Sequence, residues 1–411
     1  MMAKGLEDTA FYVYNRLASL NEVGGHPQHF GVTLEDFHHR NSERQQHNPH
    51  SMLTTSTHDT KRSEDVRARL CVLSEIPDDW RAALSRWSRL NASRRTAING
   101  THAPDRNDEY LLYQTLVSTW NEEAPGSPEF AHFRERIANY MEKATREAKV
   151  HTSWVNPNEQ YDAAMRNFVF RVLADEGKNA FVKDMMTFQR RIDFYGQFNA
   201  LAQALLKLTA PGMPDIYQGT ELWDYSLVDP DNRRPVDYQL RIFLLSNLKR
   251  RISRLGENLI PLTRELLDNS YDGRIKLYLV YRTLNFRREH EALFAAGSYL
   301  PLAALGEKQQ HVCAFARQHE ADNKQHEAII VTPRLVVGLT EGTRSSSVEL
   351  PPLGAKVWKE TRLVLPQCKP GQTYQNLLTG EVLTIDELNG SIGLEMSTVC
   401  AHFPVALLVR Q

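Results

Sequence analysis

Near residue 290 the spacing of apolar residues changes from helical to alternating, and this change constrains the fold of the chain more than any other feature of its sequence. Before it, segments such as "FRERIANYMEKATREAK" place apolar residues on one helical face and charges on the other. After it, short segments alternate apolar and polar residues between Gly and Pro breaks: "HVCAFARQ", "EAIIVTPRL", "SSVELPPL", "TRLVLP" and "STVCAHFPVALLVR". The sequence therefore predicts a part with many helices, followed by an antiparallel β-sandwich domain at 291–411.

Size and charge narrow the class of protein. A chain of 411 residues predicts two or three domains. The 49 basic and 50 acidic residues nearly cancel, which argues against a nucleic-acid binder that depends on bulk charge. No apolar run approaches the roughly 20 residues that cross a bilayer, and the N-terminus lacks the apolar core of a signal peptide. The four cysteines lie far apart without metal-site spacing, so we expect reduced thiols and no metal. Together these features predict a cytoplasmic protein with no cofactor and with no nucleic-acid or membrane partner.

A polar cluster follows the strand candidate "SMLTTSTH" (51–58). The segment "TSTHDTKRSEDVRAR" contains His58 and Asp59 at the predicted end of the strand, a position where scaffolds often carry catalytic groups. A carboxylate there can bind hydroxyl groups or stabilise a developing positive charge. The alternative is structural: Asp59 or Ser63 could cap the helix predicted for "SEDVRARLCVL". The residues alone leave both interpretations open.

A second polar segment, "LVDPDNRRPVDY" (227–238), combines three aspartates, one asparagine and two arginines with two prolines. Arg–carboxylate pairs in such a restrained loop could hold it beside a polyhydroxylated ligand. A calcium loop is a rival interpretation, but Arg233 and Arg234 interrupt the EF-hand pattern of ligands. A solvated turn is the third possibility.

The segment "AKGLEDTAFYVYNRLASLNEVGG" alternates charged and aromatic residues near the N-terminus. Aromatic rings stack on the apolar faces of pyranose rings, while carboxylates accept hydrogen bonds from hydroxyl groups. The same pattern also suits the first turn of a helix that covers a core. The segment taken singly favours neither reading.

Read together and in order, three segments closely resemble maltooligosyl trehalose synthases of the α-amylase superfamily: "AKGLEDTAFYVYNRLASLNEVGG", "TSTHDTKRSEDVRARLCVLSEIP" and "APGMPDIYQGTELWDYSLVDPDNRRPVD". The resemblance implies an α/β plus all-β fold: part of a TIM-type βα barrel with a helical insertion, followed by an antiparallel β-sandwich. "MLTTSTHD" is similar to the seventh barrel strand and "MPDIYQGTE" to the eighth. The expected divisions are a partial barrel, a helical insertion with a barrel helix, the last strand with its substrate loop and helices, and the β-domain, at 1–101, 102–209, 210–290 and 291–411.

The resemblance also implies a reaction. These enzymes convert the reducing-end α-1,4 linkage of a maltooligosaccharide into an α,α-1,1 linkage by a route similar to that of retaining glycosidases. Asp59 resembles the superfamily's third catalytic carboxylate, and His58 resembles its substrate-binding neighbour. Nine further residues in the matching segments are expected to bind substrate: Lys4, Glu7, Lys61, Arg62, Glu64, Tyr217, Asp229, Asn232 and Arg233.

One part of the superfamily pattern is not found. The nucleophile and general acid belong to strands four and five, upstream of the strand-seven motif, and no G-x-R-x-D pattern stands among the 58 residues before Asp59. We therefore expect the C-terminal portion of a (1→4)-α-D-glucan 1-α-D-glucosylmutase, inactive alone. Its expected partners are a maltooligosaccharide or glycogen-derived α-1,4-glucan and a separate N-terminal barrel half. The alternatives are a non-catalytic maltodextrin- or glycogen-binding remnant and a structural remnant without a ligand.

Overall fold

The structure is a computed structural model that describes residues 2–121, 123–174, 179–321, 324–341 and 349–411. The chain divides into two compact units, each formed by segments that are separate in sequence. The first unit comprises Met1–Phe30, Ser56–Gly196 and Asp224–Arg234, and the second comprises Gly31–Thr55, Gln197–Trp223 and Pro235–Gln411.

The first unit is mainly helical. Its N-terminal segment forms short helical turns at Met2–Gly5, Leu6–Ala10, Phe11–Val13 and Ala18–Leu20. Its longer helices run Glu64–Val72, Pro77–Asn91, Arg106–Thr119, Pro128–Ala148 and Glu159–Val172, and the helix Ala180–Thr209 begins in this unit. A small antiparallel pair, Thr96–Ile98 with Thr101–Ala103, lies between the second and third of these.

The helix Pro128–Ala148 shows how local sequence sets its bounds. The Ser127 hydroxyl accepts the amide of Phe130 at 3.0 Å, and Pro128 occupies the first turn. Lys149, with φ of 57°, ends the helix in the left-handed region. The predicted apolar face is buried: Phe133, Ile137, Tyr140, Met141 and Ala144.

Two short strands in the second unit pair in parallel, Met52–Leu53 with Met213–Pro214. The first is much shorter than the predicted strand 51–58, because threonine hydroxyls beyond it bond to the backbone and compete with a ladder. The side chains of Met213 and Met52 are 51% and 74% exposed. Within the described residues each strand has only the other as a neighbour in its sheet, which leaves these side chains uncovered.

The rest of the second unit consists of helices and two antiparallel sheets. The helices run Leu34–His47, Tyr238–Leu255, Ile260–Asp268, Arg274–Glu289, Glu291–Ala295, Val336–Thr340, Gly354–Trp358 and Met396–Val399. The larger sheet has, in spatial order, strands Val382–Thr384, Thr373–Asn376, Ala406–Arg410, Lys324–Pro333, Val312–Ala321 and Ser298–Leu302. The smaller sheet has the order Asp386–Leu388, Ser391–Glu395, Arg362–Val364 and Ala304–Leu305.

Both faces of the larger sheet are buried. Phe315 pairs with Ile330, and both pack with helical residues such as Leu279. The neighbouring pair, Ala314 and Val331, points to the other face and packs in a core that also receives side chains of the smaller sheet. The expectation of antiparallel strands after residue 290 is therefore confirmed.

Two of the predicted strands differ in the structure. "STVCAHFPVALLVR" was expected to be extended, but its first residues belong to the helix Met396–Val399 and only Ala406–Arg410 is a strand. Of "SSVELPPL", residues 346–348 lie outside the described residues, and 349–353 have no strand. Across the described ranges, no helix combines the length and the apolar character needed to span a membrane.

Candidate active site

His58 and Asp59 lie on an exposed turn of the first unit. The Asp59 amide donates to the Thr57 hydroxyl at 3.1 Å, and the Thr60 hydroxyl donates to the Thr57 carbonyl at 2.9 Å. These bonds satisfy the backbone of the turn. Within the described part of the chain, neither the His58 ring nor the Asp59 carboxylate has a hydrogen bond or ion pair with another side chain. The carboxylate of Asp59 is therefore available to a ligand.

The helix after the turn is capped by Ser63. The Ser63 hydroxyl accepts the amide of Val66 at 3.4 Å at the start of Glu64–Val72. Of the two residues that the sequence offers as caps, Ser63 takes this role and Asp59 does not.

Lys61 and Arg62, which follow the turn, are buried and hold it in place through their contacts. Glu22 accepts hydrogen bonds from the backbone amides of Lys61 and Arg62 at 2.8 and 3.2 Å. The Lys61 ammonium pairs with Asp8 at 3.1 Å, and the Arg62 guanidinium donates to the Tyr140 hydroxyl at 2.7 Å. Lys61 and Arg62 are only 3% and 2% exposed, so their contacts hold the turn in place.

Glu64 is likewise buried, at 2% exposure. It is the first residue of its helix, and its amide donates to the Ser56 hydroxyl at 2.9 Å. This bond ties the start of the helix to the chain before the turn.

The loop predicted from "LVDPDNRRPVDY" comes to the same turn. The Asn232 side-chain amide donates to the carbonyls of His58 and Thr57 at 3.0 and 3.3 Å. The Ser63 amide also donates to the Ser226 carbonyl at 3.0 Å. Two motifs more than 160 positions apart are thereby joined in one unit.

Arginine–carboxylate pairs restrain the loop, as predicted. Asp229 and Arg233 pair at 2.9 Å on the surface, and Asp231 pairs with Arg136 of the helix Pro128–Ala148 at 2.8 Å. Lys143 of the same helix donates to the Asp229 carbonyl at 2.5 Å. Sequence reasoning missed Arg136 and Lys143, because only the fold brings this helix beside the loop.

The calcium interpretation of this loop gains no support. Over the described ranges, the one group of three side chains close enough to share a metal ion is Asp105, Asp108 and His151. That group is bonded internally: Asp105 caps the helix Arg106–Thr119 and bonds to His151 at 2.8 Å, and the Tyr161 hydroxyl donates to Asp108 at 2.5 Å. Burial raises the pKa of Asp108 to about 6.

Lys4 and Glu7 lie on the N-terminal helical turns of the first unit. Lys4 pairs with Asp8 at 2.8 Å, and Glu7 accepts the amide of Gly24 at 3.1 Å. The hydrogen bond and charge of Asp8 raise the pKa of Lys4, and the charge of Asp59 adds to this effect. Burial would raise the pKa of Asp8, but hydrogen bonds from Lys4 and Lys61 bring it below its ordinary value. Lys4 is therefore electrostatically coupled to Asp59.

Tyr217 belongs to the second unit. It follows the strand Met213–Pro214, and its carbonyl accepts the amide and the hydroxyl of Thr220 at 3.0 and 2.8 Å. It is half-buried in this turn.

Several of the known proteins that this chain resembles are named maltooligosyl trehalose synthases. No family model matches the chain. A protein of Mycobacterium tuberculosis assigned as a maltooligosyl trehalose synthase is 36% identical over 409 residues, which is 99% of this chain and 44% of that protein. The solved maltooligosyltrehalose synthase of Arthrobacter ramosus matches the whole chain with a TM-score of 0.78 and 34% identity, over 45% of its own length. A solved hypothetical maltooligosyl trehalose synthase of Sulfolobus tokodaii matches 99% of the chain with a TM-score of 0.67 and 29% identity.

The matches cover this chain almost completely but less than half of each relative. They bear out the resemblance that the three sequence segments carry. Over almost its whole length this chain is similar to maltooligosyl trehalose synthases, and it spans about 45% of their length.

Proposed function

We propose that the chain is the C-terminal portion of a (1→4)-α-D-glucan 1-α-D-glucosylmutase, and that Asp59 is one of its catalytic carboxylates. The observation that carries the proposal is the exposed carboxylate of Asp59, which makes no hydrogen bond or ion pair among the described residues and lies on a turn fixed by buried contacts. Resemblance supplies the rest: the substrate is an α-1,4-glucan, and the nucleophile and general acid belong to the part of the barrel that lies outside the matched region.

The proposed reaction rearranges bonds without net gain or loss of atoms. In the first step the bond between C1 and the O4 of the reducing-end glucose breaks, O4 takes a proton from the general acid, and C1 bonds to the nucleophile. In the second step the bond between C1 and the nucleophile breaks, the O1 of the released glucose bonds to C1, and the O1 proton passes to the group that acted as the general acid. Two inversions at C1 leave an α,α-1,1 linkage. Exclusion of water between the steps favours rearrangement over hydrolysis.

Asp59 is suited to a supporting role in both steps. A carboxylate without protein partners can accept two hydrogen bonds from adjacent sugar hydroxyls. Its negative charge also stabilises the positive charge that develops on the sugar ring in the transition state. His58 is proposed to bind a neighbouring hydroxyl, while Lys61, Arg62, Glu64 and Asn232 position the turn through the contacts described above.

The proposed fold has two finer features. The parallel pairing of Met52–Leu53 with Met213–Pro214 supports their assignment as the seventh and eighth strands of a barrel. The core shared by the two antiparallel sheets supports a β-sandwich. The division at residues 101, 209 and 290 and the cytoplasmic location stay predictions.

Reconstitution tests the proposal. The chain is mixed with a polypeptide that holds the part of the Mycobacterium tuberculosis relative outside the match, and formation of α,α-1,1 linkages from maltopentaose is followed by NMR. We expect turnover in the mixture and none from either part. Asp59→Ala should lower the rate at least about 100-fold, the scale for loss of a group that stabilises transition-state charge. Asp78→Ala, at an exposed carboxylate of the same unit, is the matched control and should leave the rate unchanged.

Each other result has a distinct meaning. A reconstituted rate that survives Asp59→Ala would remove Asp59 from the mechanism. Turnover by the chain alone would disprove the need for a separate part. Binding of maltopentaose by a folded mixture without turnover would favour the alternative, a non-catalytic glucan-binding remnant.

A further inference from the structure

A cleft of about 700 Å³ lies beside the supports of the His58–Asp59 turn, wholly within the first unit. Lys4 and Asp8 line one side, and residues 147–156 line the other. Its volume falls within the roughly 300–1,000 Å³ that is typical of small-ligand sites. Residues 147–156 belong to none of the three segments that carry the resemblance.

An exposed indole is the main feature of this cleft. Trp154 is 53% exposed, and its neighbours Val150 and Val155 are 58% and 97% exposed. Single exposed apolar side chains are common, but three in one cleft form an apolar patch, and such a patch favours a binding surface.

The position of Trp154 is fixed by the protein. Its indole N–H donates to the Glu147 carboxylate at 3.0 Å, and the Arg146 guanidinium lies 4.8 Å from the ring centroid. The loop is closed by the amide of Asn156, which donates to the Ser153 hydroxyl at 2.9 Å. The ring is therefore pre-organised with much of its surface still in solvent, which lowers the entropic cost of stacking a ligand on it.

The charges of the cleft favour a neutral ligand. Two ammonium groups, Lys4 and Lys149, face two carboxylates, Asp8 and Glu147. This balance gives no net attraction to an anion such as phosphate or to a cation. Carboxylates accept hydrogen bonds from hydroxyl groups and ammonium groups donate to them, so the same set suits a polyhydroxylated molecule.

His151 adds an oriented ring to the same wall. Its Nε2 lies 2.8 Å from an Asp105 carboxylate oxygen, and the ring stacks on Tyr161 with 4.4 Å between centroids. These two contacts fix the plane of the imidazole where it lines the cleft.

The cleft adjoins the support of the His58–Asp59 turn through Asp8. Asp8 lines the cleft, and its carboxylate pairs at 3.1 Å with the ammonium of Lys61, two residues after Asp59. The cleft therefore lies beside the segment that carries the candidate active site.

We propose that this cleft is a binding subsite for an α-1,4-glucan, with Trp154 as the surface on which one glucose ring stacks and with Lys4, Asp8 and Glu147 as hydrogen-bonding groups for its hydroxyls. The proposal rests on the proposed function for the choice of glucan. It goes further by assigning a second region of the chain to the ligand, one that binds sugar without requiring the reaction centre.

Isothermal titration of the whole chain with maltopentaose tests the subsite. Trp154→Ala should raise Kd at least about 10-fold through loss of the aromatic contact, whereas Trp154→Phe should stay within about 3-fold of the unmodified chain. Tyr271→Ala is the matched control, because Tyr271 is an equally exposed aromatic residue (56%) of the second unit, and it should leave Kd unchanged. Thermal unfolding should be the same for all variants, since the altered rings are exposed.

Three results would contradict the subsite or the ligand class assigned to it. Unchanged affinity in Trp154→Ala, or no binding of millimolar maltopentaose by the unmodified chain, would overturn the subsite. Equal affinity for cellopentaose, which has β-1,4 linkages, would overturn the assigned ligand class. Trehalose-end formation by the reconstituted mixture is a separate readout: it can fail while Trp154-dependent binding persists, or succeed while Trp154→Ala has no effect.

Discussion

The two compact units bury positive charge in different ways. In the first unit, Arg69 is 1% exposed and its Nε donates to the Asp193 carboxylate at 2.9 Å. In the second, the fully buried Arg317 donates to carbonyls, including those of Phe294 and Gly297 at 2.9 and 3.0 Å. Burial lowers the pKa of Arg317 to about 10, since these neutral acceptors replace water only in part.

This difference in how charge is buried matches a difference in what surrounds the buried arginines in each unit. In the first unit, ion pairs and charged hydrogen bonds connect polar loops to helices around the candidate active site, as in Asp231 with Arg136. In the second, two antiparallel sheets and their helices bury large apolar cores. Polar positioning therefore dominates beside the proposed chemistry, and apolar packing dominates in the β-rich unit.

The largest expected effect tests the apolar side of this comparison. Phe315 is fully buried between the larger sheet and the helices of its unit. Phe315→Ala should lower the free energy of unfolding by about 3–5 kcal/mol, through lost burial and the cavity left behind. Urea unfolding followed by circular dichroism measures it, with Phe315→Leu as a control that should cost less. A loss under about 1 kcal/mol would show that the sheet core is not what stabilises this unit.

The next effect tests the charged side. Arg69→Leu should lower the free energy of unfolding by about 3 kcal/mol, because it leaves Asp193 without this partner in a largely buried setting. Changing both residues to leucine should recover part of the loss, since no uncompensated charge is left. The recovery should be incomplete, as Arg69 also donates to the carbonyls of Ser118 and Trp120 at 3.1 and 2.8 Å. If the double variant were as unstable as the single one, the carbonyl contacts would be the main role of Arg69.

The last prediction concerns how the free energy of unfolding depends on pH. The Asp108 carboxyl titrates near its ordinary 3.8 when unfolded and near 6 when folded, because burial disfavours its charged form. Its contribution to stability is complete below pH 3.8 and is lost as pH rises through about 6. The loss is about 3 kcal/mol at most. Asp108→Asn should remove this part of the pH dependence, as seen in unfolding free energies of the two proteins at pH 4, 5, 6 and 7. Identical pH dependence in both would mean that Asp108 titrates normally in the folded protein.

Local signals in the sequence predicted the features that depend on nearby residues. Ser63 was read correctly as a helix cap, and the buried face from Phe133 to Ala144 followed from helical periodicity. The antiparallel strands after residue 290 followed from alternation and turn residues. Resemblance linked the segments around Asp59 and Asn232, which the structure joins by a hydrogen bond.

What the sequence could not predict depends on distant contacts. Glu22 accepts amides about 40 positions away, and Arg136 reaches Asp231 across 95 positions. No spacing rule connects such pairs. The exposure of Trp154, in the loop between the helices Pro128–Ala148 and Glu159–Val172, has no local signal either, because tryptophan is on average a highly buried residue.

The strand pair Met52–Leu53 and Met213–Pro214 has a chemical consequence as well as a structural one. Its two exposed thioethers lie in register, open to peroxide, and conversion to sulfoxides would place two polar, chiral groups on this surface. The rate of sulfoxide formation at these two positions, read by peptide mass spectrometry, therefore reports how far the strand pair is shielded from solvent. A polypeptide that completes a barrel over it would slow that oxidation, and methionine sulfoxide reductases would restore the surface after it.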